Sequence, residues 1–104
     1  MSKHPVLMLA IAFAAPDAAW ADTPQQRGKI LALYNCARCH AVDRVSQSKL
    51  GTAPPFRTLH TRYPIETLTG ALSEGISAGH PRMPPFHLGP DQVADLVAYL
   101  KTLE

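Results

Sequence analysis

The chain has 104 residues, which is enough for one small domain, and its formal net charge of +2 is too weak to indicate nucleic-acid binding. Its only two cysteines lie three positions apart, so a disulfide between them would close a trivial loop and could not staple the fold. A domain of this size buries little apolar surface and usually needs a bound group to complete its core.

Residues 1–21 are typical of a secretory signal peptide. A short polar start is followed by an unbroken apolar run over residues 6–15, and Ala-Trp-Ala at residues 19–21 forms a small-x-small cleavage site. The run is shorter than the roughly 20 apolar residues that a membrane-spanning helix needs. We therefore expect cleavage after Ala21 and export to the periplasm. The mature protein would be a single domain over residues 22–104, without a membrane segment.

A first helix is predicted directly after Thr23. The Thr23 side chain can serve as the N-cap, Pro24 suits the first helical position, and Gln26 completes a capping-box pattern. The residues at i, i+3, i+4 and i+7 are predicted to form one mostly apolar face of this helix, and they are Arg27, Ile30, Leu31 and Tyr34.

The middle of the chain is predicted to contain one loop, one helix and a second loop. Residues 41–56 lack periodicity and end in a Gly- and Pro-rich stretch that cannot continue a helix. A helix is predicted from Pro64 to about Gly75. Its apolar side comprises Ile65, Leu68, Ala71 and Leu72. Residues 79–90 contain four prolines and are predicted to form the second loop.

The last helix is predicted to begin at Pro90, with Asp91 favourably placed near the positive end of the helix dipole. Its apolar stripe comprises Val93, Leu96, Val97, Leu100 and Leu103. No strand-like alternation stands out in the sequence, so the chain is predicted to form one small all-α unit.

The chemically specific motif is Cys36-Ala37-Arg38-Cys39-His40, a C-x-x-C-H haem-attachment signature. Two cysteine sulfurs at this spacing can add to the two vinyl groups of one haem as thioethers. The adjacent histidine is then carried under the ring, where a neutral imidazole nitrogen can bind the iron. We therefore predict one covalently bound haem c, held by Cys36 and Cys39 and ligated by His40.

Two other chemistries use the same residue types. A thiol–disulfide redox pair also has C-x-x-C, but no βαβ pattern accompanies it here. A zinc site would combine the motif with one distant histidine, although structural zinc sites usually bring a second, closely spaced ligand pair. The distant histidines are His60, His80 and His87.

Met83 is the predicted second axial ligand. Removal of the signal peptide takes away the other two methionines, Met1 and Met8. Met83 lies in a polar loop with prolines on both sides. Their fixed φ angles lower the conformational entropy that the loop loses on ordering. Such a position does not resemble one at which a methionine fills a gap in an apolar core. His80 and His87 flank the same loop and are the substitutes for this role.

These motifs, in this order, resemble the bacterial class I c-type cytochromes, which are monohaem proteins with His/Met ligation. The resemblance is carried by C-A-R-C-H, by A-P-P-F at residues 53–56, by G-H-P-R-M-P-P-F at residues 79–86 and by D-L-V-A-Y-L-K at residues 95–101. It implies an all-α fold of three to five helices wrapped around one haem, with the two terminal helices crossing.

The resemblance also implies roles for individual residues. Gly28 matches the small residue of the helix crossing, with Leu96 and Tyr99 as its partners. The carbonyl of Pro54 or Pro55 would accept a hydrogen bond from the haem-ligating histidine. The chain departs from the family in having Ala32 where an aromatic residue is frequent, and no tryptophan after residue 21. Replacements for a tryptophan contact to a haem propionate would come from Arg57, His60 or Tyr63.

The function expected from these features is one-electron transfer between redox partner proteins, without enzymatic activity. The alternatives are a haem subunit of a periplasmic dehydrogenase or oxidase complex, and a haem sensor or enzyme with a labile sixth ligand. The protein is expected to be a monomer or a subunit of a redox complex, and not to bind nucleic acid. Basic residues that could steer an acidic partner are Arg38, Arg44, Lys49 and Arg82.

Overall fold

A computed structural model describes residues 2–12, 22–75 and 82–104. Three α-helices are present, α1 (Pro24–Asn35), α2 (Leu68–Glu74) and α3 (Pro90–Lys101), with 3₁₀ helices at Phe56–Thr61 and Ile65–Thr67. No strand occurs within these described ranges, and the all-α prediction is confirmed. No helix in the described part of the chain is long and apolar enough to span a bilayer. The predicted cleavage site lies outside the described residues.

The start of α1 follows the predicted capping box. The Gln26 amide donates to the Thr23 hydroxyl oxygen at 3.2 Å, and the Gln26 side-chain oxygen accepts from the Thr23 amide at 2.9 Å. Two of the amides that a helix leaves without intrahelical partners are thereby satisfied by local contacts alone.

The predicted apolar face of α1 is wrong. Ile30 is 46% exposed and Tyr34 is 85% exposed, whereas the buried positions are Gly28 and Ala32. The buried face is decided by how closely the partner helix approaches, and only small side chains fit there. Ala32, where the resembling cytochromes frequently have an aromatic residue, is fully buried in the same core cluster as Leu96 and Tyr99 of α3.

Helices α1 and α3 cross at Gly28. A Cβ atom on Gly28 would lie 1.9 Å from the Asp95 carbonyl oxygen and 2.8 Å from the Tyr99 Cβ, so the helix backbones touch at this point. The expected partnership with Tyr99 is confirmed. Leu96, the other expected partner, is buried in the core, but the backbone nearest to Gly28 belongs to Asp95.

An ion pair not predicted from the sequence fastens the same crossing. Arg27 donates from Nε and Nη2 to the two carboxylate oxygens of Asp95, at 2.9 and 3.1 Å. Asp95 is buried in α3, so its charge needs a partner, and the bidentate guanidinium supplies one. The hydrogen bond to Asp95 also raises the pKa of Arg27.

The predicted second helix is confirmed, with a 3₁₀ first turn at Ile65–Thr67 that leads into α2. It ends at Gly75, whose φ of +73° is the left-handed conformation that favours glycine. The 3₁₀ helix at Phe56–Thr61 was not predicted. The signal for it is the three-residue spacing between Phe56 and Leu59, which places both side chains in the core.

Helix α3 begins at Pro90 as predicted, and its apolar stripe forms the largest part of the core. Val93, Leu96, Leu100 and Leu103 are buried, and Val97 packs against them partly buried. Facing side chains come from α1 and from both 3₁₀ helices, and include Ala32, Phe56, Leu59 and Ile65. An ion pair between Lys101 and Glu66 ties the end of α3 to the 3₁₀ helix that precedes α2.

Tyr99 connects α3 to the segment that follows the C-x-x-C-H motif. Its buried hydroxyl donates to the Val42 carbonyl oxygen at 2.5 Å, two residues beyond His40. Burial raises the pKa of Tyr99, because the phenolate would lose hydration. The hydroxyl is therefore held in its neutral, donating form.

Tyr99→Phe is expected to lower the free energy of unfolding by about 1–2 kcal/mol, because it leaves the Val42 carbonyl without its donor. A raised folded-state pKa stabilises the protein fully below about pH 10 and loses that effect as pH rises further. Above about pH 10, stability should therefore fall less steeply in Tyr99→Phe than in the wild type. Denaturant titrations from pH 7 to pH 11 measure both effects. Tyr34→Phe, at an exposed position, is the control and should change neither.

Candidate haem site

The haem-attachment motif lies on one turn at the end of α1. Cys36 is the C-cap residue, and its carbonyl oxygen accepts from the amides of Cys39 at 3.1 Å and of His40 at 2.9 Å. Both cysteines are free and half-buried, and Cys36 packs against the core. The turn therefore places two thiols and an imidazole on a short segment anchored by the interior.

His40 is oriented by a hydrogen bond to Pro54. The distance from His40 Nδ1 to the Pro54 carbonyl oxygen is 2.8 Å. A carbonyl can only accept, so Nδ1 carries the proton and Nε2 keeps its lone pair in the neutral imidazole. Of the two prolines left open by the sequence, the structure thus selects Pro54. Such a contact fixes the tautomer and ring orientation of a metal-binding histidine and increases its basicity.

The loop that presents Pro54 is itself fastened to the motif segment. Three hydrogen bonds make this connection: Leu50 amide to Cys39 carbonyl at 3.0 Å, Phe56 amide to Ala41 carbonyl at 2.9 Å, and Ala41 amide to Ser48 hydroxyl at 3.0 Å. The Phe56 ring lies beside the His40 ring, with centroids 5.0 Å apart and planes tilted by 43°. The hydrogen bonds thus fix Pro54 and Phe56, the two residues that contact the His40 ring, relative to the motif segment.

The thiol environment argues against a disulfide-exchange function. Burial, followed by the charge of nearby Cys39, raises the pKa of Cys36 to about 11. Thiol–disulfide enzymes instead depress the pKa of their attacking cysteine to populate the thiolate. For the zinc alternative, the described residues contain no group of three or more His, Cys, Asp or Glu side chains placed to hold a metal ion. His80, one of the distant histidines considered, lies outside the described residues.

Met83 is half-buried at the start of the described arm of its loop, residues 82–89. Phe86 is also half-buried, and Leu88 packs against the core. The loop arm is therefore anchored near its α3 end. His87 is exposed, and so is His60. Iron ligation by Met83 stays a prediction.

Several basic and polar residues considered from the sequence have partners of their own. Arg44 donates to the Thr102 carbonyl, and Arg57 Nη1 donates to the Ser46 carbonyl at 2.7 Å. Tyr63 packs partly buried against the core. The residues that sequence reasoning missed are Ser48 and the Tyr99 hydroxyl, which support the motif segment. No local pattern signals them, because Ser48 bonds a backbone amide seven positions away across an irregular loop, and the Tyr99 hydroxyl bonds a carbonyl 57 positions away.

The donor set fits a covalently held haem. Two free thiols at the attachment spacing lie on one turn, and the adjacent imidazole has its Nδ1 proton engaged and its Nε2 lone pair available. Cys36 and Cys39 would form the thioethers, and His40 would bind the iron. The half-buried thioether of Met83 is of a type that can complete the axial pair.

Comparison with known proteins agrees with this chemistry. A family model described as Cytochrome c matches residues 25–104, which is most of the chain. No curated protein and no solved structure matches the chain. The matched span contains α1, the attachment motif, the Pro54 loop, Met83 and α3.

Proposed function

Since the chain belongs to the cytochrome c family, whose members bind haem c covalently and generally carry electrons, we propose that it is an exported, periplasmic one-electron carrier with a single haem and no enzymatic activity. The observation that carries the proposal is the hydrogen bond from His40 Nδ1 to the Pro54 carbonyl. It prepares Nε2 as a fixed, neutral ligand on the residue next to the two attachment cysteines.

Each residue of the proposed site has a separate task. A bound haem would supply the one-electron change. Cys36 and Cys39 would hold it covalently and so prevent its loss outside the cytoplasm. His40 would provide an imidazole nitrogen, and Met83 would provide a thioether, which favours the reduced state relative to a second histidine. With both ligands supplied by the protein, oxidation and reduction would need little rearrangement.

Two other functions use the same haem site. As a haem subunit of a periplasmic dehydrogenase or oxidase complex, the protein would keep this chemistry and exchange electrons within an assembly. As a haem sensor or enzyme, it would need an exchangeable sixth position. Met83 is half-buried on a loop arm whose Leu88 packs against the core, and this placement favours a filled position. Rapid carbon monoxide or cyanide binding by the wild-type protein would favour the sensor or enzyme.

The proposed partners are redox proteins. The protein would exchange electrons with them either as a monomer or as a subunit of a complex. Arg38, Lys49 and Arg82 are exposed and available to steer an acidic surface. Arg44 is less suited to this role because it is engaged with the Thr102 carbonyl.

Covalent attachment is tested by expressing the full chain with periplasmic haem-attachment machinery and measuring intact mass. The wild type is expected to appear as residues 22–104 plus one haem, and Cys36→Ser/Cys39→Ser should lose all covalent haem. Ala37→Ser changes a residue between the cysteines, keeps both thiols and should retain the haem. A wild-type mass equal to that of the bare polypeptide would refute the proposal.

A further inference from the structure

The imidazole of His87 lies directly against Gly75. A Cβ atom on Gly75 would be 2.7 Å from Cε1, 3.0 Å from Nε2 and 3.2 Å from Nδ1 of His87. One edge of the imidazole ring thus lies against the position that the Cβ of any other residue would occupy. Gly75 suits this position for two reasons: its φ of +73° is one that residues with a side chain rarely adopt, and a Cβ there would push the His87 ring aside.

This contact joins the end of α2 to the arm of the loop that carries Met83. Gly75 is the C-cap of α2, and His87 lies four positions after Met83. Pro84 and Pro85 lie between Met83 and His87, and their fixed φ angles make this link stiff. A restraint on His87 is therefore transmitted to Met83 more effectively than through a flexible link.

Leu88 and His87 hold the loop arm at two different places. Leu88 packs towards the core, which holds the arm on the α3 side. His87 is exposed, and its ring lies against Gly75 at the C-terminal end of α2. The contact thus provides a second attachment point for the arm, on a different helix from the first.

We infer that the His87–Gly75 contact is a positioning contact for Met83, which keeps the thioether in place and so limits access of outside ligands to the sixth coordination site. The inference rests on the proposed ligation by Met83. An iron–thioether bond is weak, so its persistence depends on how little the sulfur can move. A second attachment point reduces the conformational freedom that the arm regains when the sulfur dissociates. The same contact keeps the His87 imidazole against Gly75 at the end of α2.

The inference is tested by imidazole titration of the oxidised holoprotein, followed by absorbance. His87→Ala and Gly75→Ala are each expected to raise the affinity for imidazole about fivefold, within the range of coupling between contacting residues. Gly75→Ala also strains the backbone, so the double variant is needed. If the contact is responsible, the double variant should bind imidazole no more tightly than the stronger single variant.

Two matched variants control for general effects of these substitutions. Gly70→Ala lies on the same helix as the Gly75 cap, but a Cβ there has no neighbour within 4 Å. His60→Ala removes another exposed histidine. Both should bind imidazole with wild-type affinity. Unchanged affinity in His87→Ala, or additive effects in the double variant, would overturn the inference.

The variant Met83→Ala distinguishes failure of the positioning inference from failure of the proposed ligation by Met83. If it raises the imidazole affinity while His87→Ala does not, only the positioning inference fails. If Met83→Ala leaves the imidazole affinity at the wild-type value, ligation by Met83 is wrong, and the positioning inference falls with it.

Discussion

Gly28→Ala is expected to destabilise the holoprotein by about 3 kcal/mol or more. The added Cβ would lie 1.9 Å from the Asp95 carbonyl oxygen and 2.6 Å from its carbon, and neither backbone atom can move without shifting α3. Alanine has a helix propensity about 1 kcal/mol better than glycine, but this gain is smaller than the cost of separating two packed helices. The separation would also strain the Arg27–Asp95 ion pair and the Tyr99–Val42 hydrogen bond.

Equilibrium denaturation followed by circular dichroism measures this effect. Gly70→Ala is the matched control, because it makes the same substitution in α-helix with open space around the new Cβ. It should be neutral or stabilise the protein by up to about 1 kcal/mol. Equal stability of the two variants would show that α1 and α3 do not touch at Gly28.

Met83→His is expected to retain the haem and lower the reduction potential by on the order of 0.1–0.3 V. Axial ligands tune haem potentials over roughly 0.8 V, and imidazole stabilises the oxidised iron more than a thioether does. Met83→Ala should instead remove the protein's sixth ligand and allow cyanide to bind rapidly to the oxidised protein. Redox titration measures the first effect, and stopped-flow mixing with cyanide measures the second.

Arg82→His controls for the introduction of a histidine into this loop. Arg82 is exposed and adjacent to Met83, so this variant adds an imidazole while keeping the thioether. Its potential should stay near that of the wild type. If Met83→Ala had the wild-type spectrum, potential and cyanide-binding rate, the thioether would not be an axial ligand.

Sequence reasoning was most accurate where a feature depends on neighbours in the chain. The capping box at Thr23, the start of α3 at Pro90 and the end of the middle helix at Gly75 involve residues within one turn of each other. The C-x-x-C-H motif is local in the same sense, and the covalent haem that it indicates agrees with the family match. Iron ligation by His40 stays a prediction.

Periodicity was a less reliable guide to the buried face of a helix. It predicted the stripe on α3 correctly, because that helix packs through large apolar side chains. On α1 it selected Ile30 and Tyr34, which are exposed, whereas the contact is made by Gly28 and Ala32. Where two helix backbones come into contact, the buried residues are small. A search for large apolar residues therefore does not identify the buried face of such a helix.

The amino-acid sequence was sufficient to predict the helical class, the starts of α1 and α3, the end of α2 at Gly75, and the two thiols and imidazole suited to hold a haem. The tertiary structure alone decided that Pro54 orients His40, that Arg27 neutralises buried Asp95 and that Tyr99 supports Val42. These contacts join residues 14, 68 and 57 positions apart. Local patterns arise from short-range sterics and hydrogen bonds, so they can be recognised along the chain. Long-range partners are chosen only when packing brings distant segments together.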